Sequence, residues 1–416
     1  MDLMTDFDLI MKLCSNRKLP PISYETSVKI LQKIRPCVND YYNITAYHYI
    51  YAGDVGLIHY HLLLSSLIEN VNSIEIDEIN TVYAVVLFKG HGKDPTSDRS
   101  YRTISTCPLL AKSLDIYVRE LNLDVWNEDQ AETQFLGSGS SHELAAILLT
   151  ETIQHSLYVS KKPLFALYLD AKSVFDNVLR QLLVRNLYMC GTSSSSINYI
   201  NSRLKSRKTM VDWNKQVMGP IFDEKGIEQG GPNSGDYYKI FGKEQLTLSQ
   251  QSTLGVPMPG NIFVSAIGQA DDTILTSNSL PSLQNLVQIT EHFCEKFHVE
   301  LCIEKTKLQV FNTKDHQAQV EHVQNTSNLT LYGKQLEFVK TNQQGAEHVG
   351  IIRSASGNLP HLLKRFMCHK KALAAVTYTG IGRGHRDNPI ASIQIEKIYG
   401  SGALLSGVGS LLLKKS

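Results

Sequence analysis

No Cys-x-x-Cys pair occurs anywhere in the chain, and its seven cysteines (Cys14, Cys37, Cys107, Cys190, Cys294, Cys302 and Cys368) are scattered and odd in number. That pattern argues against a disulfide framework and against a zinc module, and it fits a reducing compartment. Cys368-His369 and the His59/His61 pair each lack a second half at ligand spacing. Charge of one sign is not in excess either. The 41 Lys+Arg against 40 Asp+Glu leave a net charge of +1, so the global balance signals no polyanionic partner and permits only local basic surface offset by acids elsewhere. Long apolar runs are missing. No stretch holds the eighteen apolar residues of a membrane span, and the run from Ile398 to Leu413 is broken by Gly and Ser, so it reads as core. The start, Met1-Asp2-Leu3-Met4-Thr5-Asp6, is acidic and lacks the basic and apolar regions of a signal peptide. The expectation is an intracellular protein, nuclear or cytoplasmic, neither secreted nor bound to a membrane. Internal repeats and long low-complexity tracts are also lacking.

What is present is a chain of two or three domain-sized units with 42% apolar residues, enough for a core. Residues 1 to about 70 read as helical. Thr81 to Phe88 (TVYAVVLF) is β-branched and aromatic and reads as a buried strand. Pro108 opens a helix with Leu110, Leu114, Tyr117, Val118 and Leu121 at helical spacing. The Gly/Ser stretch 137–141 reads as a loop, with Ser140 and Glu143 as a capping box for the next helix; it lacks the Gly-Lys-Ser/Thr ending of a phosphate loop. Leu164 to Leu169 is an apolar strand stopping at Asp170, followed by a helix with Leu179, Leu182, Leu183 and Leu187. Ile262 to Ile267 and Thr273 to Thr276 flank Gly268-Gln269-Ala270-Asp271-Asp272, which reads as a hairpin with acids at its turn. Pro281 begins an amphipathic helix with Leu283, Leu286, Val287, Thr290, Phe293, Cys294 and Phe297 on one face. Strands separated by helices, with a late helical portion, indicate an α+β arrangement.

Asp271-Asp272 is the only Asp-Asp dipeptide, and alone it is as well read as a solvated turn. Asp170, at the end of another apolar strand about 100 residues earlier, changes that. Carboxylates at the ends of neighbouring strands can converge, and converging oxygens suit hard cations such as Mg²⁺. Burying two acids together without a cation is costly. A pair of such metals roughly 4 Å apart supports phosphoryl transfer, which needs mainly positioning and charge neutralisation.

The segments now form a recognisable series. Leu169-Asp170-Ala171-Lys172-Ser173-Val174-Phe175-Asp176 resembles the reverse transcriptase motif that opens with a metal-binding Asp, and Gln269-Ala270-Asp271-Asp272 resembles its Asp-Asp hairpin. Between them, Gly226-Ile227-Glu228-Gln229-Gly230-Gly231-Pro232-Asn233-Ser234 resembles the family's Gly-x-Pro-Gln-Gly segment. Lys93-Asp94-Pro95 and Tyr101-Arg102-Thr103-Ile104-Ser105 resemble the fingers segment, Glu304-Lys305-Thr306-Lys307-Leu308 the lysine-bearing motif, and Glu347-His348-Val349-Gly350-Ile351 the primer-gripping turn. Order and spacing agree from about residue 80 to 355, most closely with non-LTR (LINE-type) retrotransposons.

The resemblance implies an RNA-directed DNA polymerase with the right-hand fold of fingers, palm and thumb and an antiparallel palm sheet. Residues 1–75 would be an N-terminal helical extension, 76–163 the first part of the fingers, and 164–315 the palm with a fingers insertion around 195–225. Residues 316–416 would be the primer grip and an incomplete thumb. Asp170, Asp271 and Asp272 would hold two Mg²⁺ (or Mn²⁺), helped by the Ala171 carbonyl. Lys89 and Arg102 would neutralise the triphosphate, and Phe175 would exclude the 2′-hydroxyl of rNTPs. Gln229 and Gly230 would meet the nascent base pair. Lys305, with Lys307 as rival, would give a proton to pyrophosphate. Each has a plainer alternative: Phe175 as a core residue at a helix start, Arg102 as a loop anchor, the lysines as a solvated face.

An RNA template, a DNA primer and dNTPs are the implied partners; the oligomeric state is left open. Two basic stretches could meet their phosphates: Arg203, Lys205, Arg207 and Lys208 in the first, and Lys364, Arg365, Lys370 and Lys371 in the second. Glu228 departs from the family's usual Pro, which would loosen that loop, and Gln269 from its usual aromatic. The endonuclease domain and zinc knuckle of complete LINE-type proteins are missing from the pattern. These departures leave an alternative open, a catalytically silent, retrotransposon-derived RNA-binding protein. An RNA-templated RNA polymerase is disfavoured by Phe175 and by Ala-Asp-Asp in place of Gly-Asp-Asp.

Overall fold

The structure, a computed structural model, describes residues 3–70, 77–90, 94–97, 100–128, 130–136, 142–213, 216–270, 272–311, 329–339, 346–348 and 351–353. The N-terminal helices are α1 (Leu3–Cys14), α2 (Tyr24–Lys33), α3 (Ala46–Tyr51), α4 (Gly53–Asn70) and α5 (Asp77–Asn80). Strands β1 (Thr81–Phe88) and β2 (Tyr101–Thr106) lead to α6 (Leu109–Glu128) and α7 (His142–Gln154), the latter extended by a π-turn over His155–Val159. Next come β3 (Leu164–Asp170), α8 (Arg180–Met189), α9 (Ser194–Lys205), β4 (Lys208–Trp213), β5 (Gln216–Phe222) and α10 (Ser234–Gln251). Four short strands follow, β6 (Val256–Met258), β7 (Ile262–Val264), β8 (Ala266–Gln269) and β9 (Asp272–Ser277), and then α11 (Leu280–Phe297) and β10 (Lys307–Phe311). Last are β11 (Thr330–Leu331), β12 (Lys334–Gln335), β13 (Glu337–Phe338), β14 (Ala346–His348) and β15 (Ile351–Arg353).

The chain forms two compact units. The first takes residues 1–130, 173–243 and 296–299; the second takes 131–172, 244–295 and 300–416. In the first, β2-β1-β4-β5 form one sheet in which β1 runs antiparallel to β2 and parallel to β4. The strand expected over Thr81–Phe88 forms over those residues, but it is not buried throughout. Val82 and Ala84 are buried, whereas Val85, Leu87 and Phe88 are exposed. The neighbouring stretch Arg102–Ile104 of β2 is exposed too, so the outer end of this hairpin is exposed on both strands. Helix α6 begins after Pro108, where a missing N–H costs nothing, and buries Leu109, Leu114, Tyr117, Val118 and Trp126.

The second unit is built on the sheet β13-β10-β3-β9-β8. Three of its four pairings are antiparallel and β10–β13 is parallel, so the expected antiparallel sheet is mixed at one edge. Strand β3 lies in the middle with six of its seven residues buried, which is why it reads as an uninterrupted apolar run. Leu164, Ala166 and Tyr168 fall on one face by strand alternation, and Ala145, Leu149 and Ile153 of α7 fall on one helical stripe. Both sets join one core cluster with Val264, Ile267, Ile274 and Phe311. The run expected as one strand, Ile262–Ile267, changes partner at Ser265: β7 pairs with β6, and β8 with β9. All seven face residues assigned to α11 from its periodicity are buried.

Candidate active site

Asp170 ends β3 and Asp272 opens β9, and the two are direct cross-strand partners. Opposed antiparallel residues have Cα atoms roughly 4.5–5.5 Å apart and side chains on the same face. The apolar stretch of β3 therefore delivers one acid, and the β8–β9 hairpin delivers another beside it. Gln269 pairs with Asp272 across that hairpin, and Ala270 in its loop takes φ +54°, a conformation uncommon for a residue with a Cβ. The other loop residue, Asp271, lies outside the described residues.

The segment 300–306 fixes the end of β3 from the other side. The Lys172 N–H donates to the Glu300 carbonyl at 2.8 Å, the Cys302 N–H donates to the Asp170 carbonyl at 2.7 Å, and Ala171 bridges Leu301. The same turn carries Lys305, whose Nζ lies 3.3 Å from Asp170 Oδ2. A positive charge thus already sits on the candidate metal ligand. The carboxylate oxygens of Asp170 and Asp272 and the Ala171 carbonyl are all hard donors, as Mg²⁺ requires, and Asp170 keeps 38% of its side-chain surface exposed. The described donors fit such a cation. Lys307, the alternative lysine, begins β10 opposite Tyr168.

The residues assigned to the nucleotide lie in the first unit, and three of their segments are tied together there. The Ser105 N–H donates to the Gln229 carbonyl at 2.9 Å, joining β2, which carries Arg102, to the 226–234 loop. The Ile227 N–H donates to the Phe175 carbonyl at 2.8 Å. Gly230 takes φ +106°, and a Cβ there would approach the Ser105 carbonyl oxygen to 3.2 Å. Gly226 (φ +86°) is tighter, since a Cβ would meet the Asp176 carbonyl oxygen at 2.7 Å. Arg102 is exposed on β2 opposite Leu87, and Lys89 follows β1, its N–H donating to the Ser100 carbonyl at 2.8 Å. Phe175 sits in a turn before α8 rather than at a helix start; it is half-buried, with its ring centroid 5.2 Å from that of Tyr238.

The first basic stretch divides. Lys205 is exposed, and Lys208 is half-buried with its Nζ 5.9 Å from the Phe222 ring centroid. Arg203 and Arg207, expected on a phosphate-binding surface, are buried. Arg203 pairs with Glu228 at 3.1 Å and Arg207 with Asp223 at 3.1 Å. A buried guanidinium needs a carboxylate, and both arginines have one inside the protein. Lys364, Arg365, Lys370 and Lys371 lie outside the described residues, as do Lys93, the 137–141 loop and the turn residues Val349 and Gly350.

Sequence reasoning missed two features of the first unit. One is Arg180, which holds the 226–234 loop at its start: Nε donates to the Gly226 carbonyl at 2.9 Å, Nη2 to the Lys225 carbonyl at 3.1 Å, and Nη1 to the Asp223 carbonyl. The other is a buried ionic cluster of Cys107, Asp115, Arg203 and Glu228. Cys107, Asp115 and Glu228 present ligand-type atoms within 4.8 Å of one another, but the Arg203 guanidinium already serves as their cation. Burial works against the charge on Arg203, yet Glu228 and Asp115 outweigh it and hold the group charged. Burial pushes Asp115 up to about 6; Arg203 opposes the rise and Glu228 adds to it. The Cys107 thiol is pushed up by burial and by Glu228. No local sequence signal marks this cluster, whose members come from four separate segments.

Paired acids at the ends of adjacent antiparallel strands are an arrangement that can hold divalent cations for phosphoryl transfer. Residues 92–345 match the family described as "Reverse transcriptase (RNA-dependent DNA polymerase)", and the chain belongs to that family. It is also 23% identical over 184 residues to "Transposon TX1 uncharacterized 149 kDa protein" from Xenopus laevis, an alignment covering 44% of this chain and 14% of that relative. Among the described residues no helix is long and apolar enough to cross a membrane.

Proposed function

We propose that this chain is the RNA-directed DNA polymerase of a non-LTR (LINE-type) retrotransposon, extending a DNA primer on an RNA template by two-metal transfer of nucleotides from dNTPs. The observation that supports this most is the cross-strand pair Asp170–Asp272, with the Ala171 carbonyl beside it, in a chain of the reverse transcriptase family. The fold assigned with it is the right hand: fingers in 76–163 with an insertion around 195–225, palm in 164–315, primer grip and thumb in 316–416.

Asp170, Asp271 and Asp272, with the Ala171 carbonyl, would hold two Mg²⁺, for which Mn²⁺ can substitute. Bound there, the ions would activate the primer 3′-hydroxyl and neutralise the leaving pyrophosphate. Lys305 leaves Asp170 and donates a proton to that leaving group. Arg102 takes the triphosphate as a fork-like partner and Lys89 as a point charge. Phe175 blocks a ribose 2′-hydroxyl. Gln229 and Gly230 meet the nascent base pair. Lys205, Lys208, Lys364, Arg365, Lys370 and Lys371 contact template and primer phosphates without sequence preference.

The test is primer extension by the purified chain on poly(rA)/oligo(dT) with dTTP and Mg²⁺ or Mn²⁺, beside Asp271→Ala. Extension that disappears in the variant and on chelation supports the polymerase and its metal site together. Template-primer binding without extension would instead support the catalytically silent RNA-binding protein.

A further inference from the structure

Glu228 stands where the family's segment has Pro, directly before Gln229. Its two carboxylate oxygens are divided between two elements. Oε1 accepts from Arg203 Nη2 of α9 at 3.1 Å. Oε2 accepts from the Cys107 thiol at 3.0 Å, and Cys107 is the residue immediately after β2. Pro has no side-chain acceptor and could make neither contact. The far end of the loop is anchored to the same cluster: Asn233 Nδ2 donates to the Asp115 carbonyl at 2.8 Å, while Asp115 Oδ1 accepts from the Tyr199 hydroxyl at 2.8 Å. A cavity of about 30 Å³ lies against Asp115, Arg203, Glu228 and Asn233, a volume that takes about one water molecule. Arg203 Nε and Nη1 and Asn233 Oδ1 have no hydrogen-bond partner among the described residues.

We propose that Glu228 and Arg203 are positioning residues, a buried ion pair that replaces the rigidity of the missing Pro and fixes the Gln229–Gly230 turn against β2. The juxtaposition that carries this is one carboxylate gripping α9 and the exit of β2 at once, beside the Ser105–Gln229 backbone bond. Glu228 touches no reacting atom. It acts through Gln229 and Gly230 and through the strand that bears Arg102, so its effect on catalysis rests on the polymerase function proposed above. A carboxylate held this way is costly to leave unpaired, because its partner guanidinium is desolvated.

The experiment uses the full chain with Glu228→Ala and Glu228→Gln. In Glu228→Ala the KM for dTTP rises about tenfold or more, while kcat changes by less than about twofold and template-primer Kd is unchanged. Glu228→Gln keeps an acceptor for Arg203 without the charge and falls between Glu228→Ala and wild type. Amide exchange read by mass spectrometry gives a second readout that needs no catalysis. Peptides covering 101–107 and 226–234 exchange about tenfold faster in Glu228→Ala, whereas 164–170 of the second unit keeps its wild-type rate. Wild-type KM together with wild-type exchange over 226–234 would overturn the proposal. If Glu228→Ala loosens 164–170 as well, Glu228→Gln is read in its place by the same criteria. If the wild-type chain extends no primer, the polymerase function fails on its own, and the exchange of 226–234 alone decides the positioning role.

Discussion

The ammonium of Lys305 lies 3.3 Å from Oδ2 of Asp170, the acid that ends the central strand β3. Lys305 is 65% exposed, and an exposed ion pair of this kind contributes about 0–1 kcal/mol. Under the proposed function a divalent cation would displace this contact, and the freed ammonium would serve the departing pyrophosphate. Lys305→Ala should lower the single-turnover extension rate by roughly 10²-fold or more, the range of a lost general acid, and leave the unfolding midpoint nearly unchanged. Lys307→Ala is the comparison. A larger loss of rate there, with Lys305→Ala near wild type, would transfer the proton-donor role to Lys307.

Phe175 sits in the turn between β3 and α8, half-buried with Tyr238 as its ring neighbour. A gate and a core residue respond differently to truncation. If Phe175 excludes the 2′-hydroxyl, Phe175→Ala raises the relative efficiency of rNTP over dNTP incorporation by about 10-fold or more, while stability falls only modestly. If it serves the core, stability drops by about 3 kcal/mol or more and selectivity stays as it was. Parallel dTTP and UTP titrations with denaturant unfolding separate the two.

What the sequence revealed and what it hid divide along a physical line. Strand β3, the position of Asp170 at its end, and the buried face of α11 were legible because each is a local pattern: a continuous apolar run, or a stripe at helical spacing. The fates of Arg203 and Arg207 were not. A row of cations looks the same whether it faces water or internal carboxylates, and the partners here lie 25 and 16 residues further along the chain. The exposed half of β1 was hidden for a similar reason. Val85, Leu87 and Phe88 have strand propensity, but whether anything covers them depends on the neighbouring strands. The partner change at Ser265 breaks an apolar run at a single polar residue, too weak a local signal to separate two strands.

Two glycines should respond oppositely to the same substitution. At Gly226 a Cβ would sit 2.7 Å from the Asp176 carbonyl oxygen with φ at +86°, whereas at Gly235, near the start of α10, nothing lies within 4 Å. Gly226→Ala should cost about 1–3 kcal/mol through strain and overpacking, and it should push the 226–234 loop from its place. Gly235→Ala should stabilise by about 0.4–1 kcal/mol, since it lowers the entropy of the unfolded chain at an ordinary helical position. Urea midpoints of both variants test the pair. Equal effects at the two sites would contradict the close approach at Gly226.

The buried Asp115 makes stability depend on pH in a direction opposite to that of most carboxylates. Burial raises it from the ordinary 3.8 to about 6, so the folded protein holds this proton more tightly than the unfolded chain does. Its contribution is therefore fully present below the ordinary carboxylate value and is lost as pH rises through about 6. Cys107 and Tyr199, both pushed up, and Arg203, held charged, do not titrate in that window. Asp115→Asn keeps an oxygen acceptor for the Tyr199 hydroxyl but cannot ionise. The stability of wild type relative to this variant should thus fall by an amount on the order of 1–3 kcal/mol between roughly pH 4 and 6 and stay level above about pH 7. Urea unfolding of the two proteins across that range measures the difference. A gap that does not change with pH would mean that Asp115 ionises as freely in the folded chain as in the unfolded one, and that Arg203 rather than burial governs its charge.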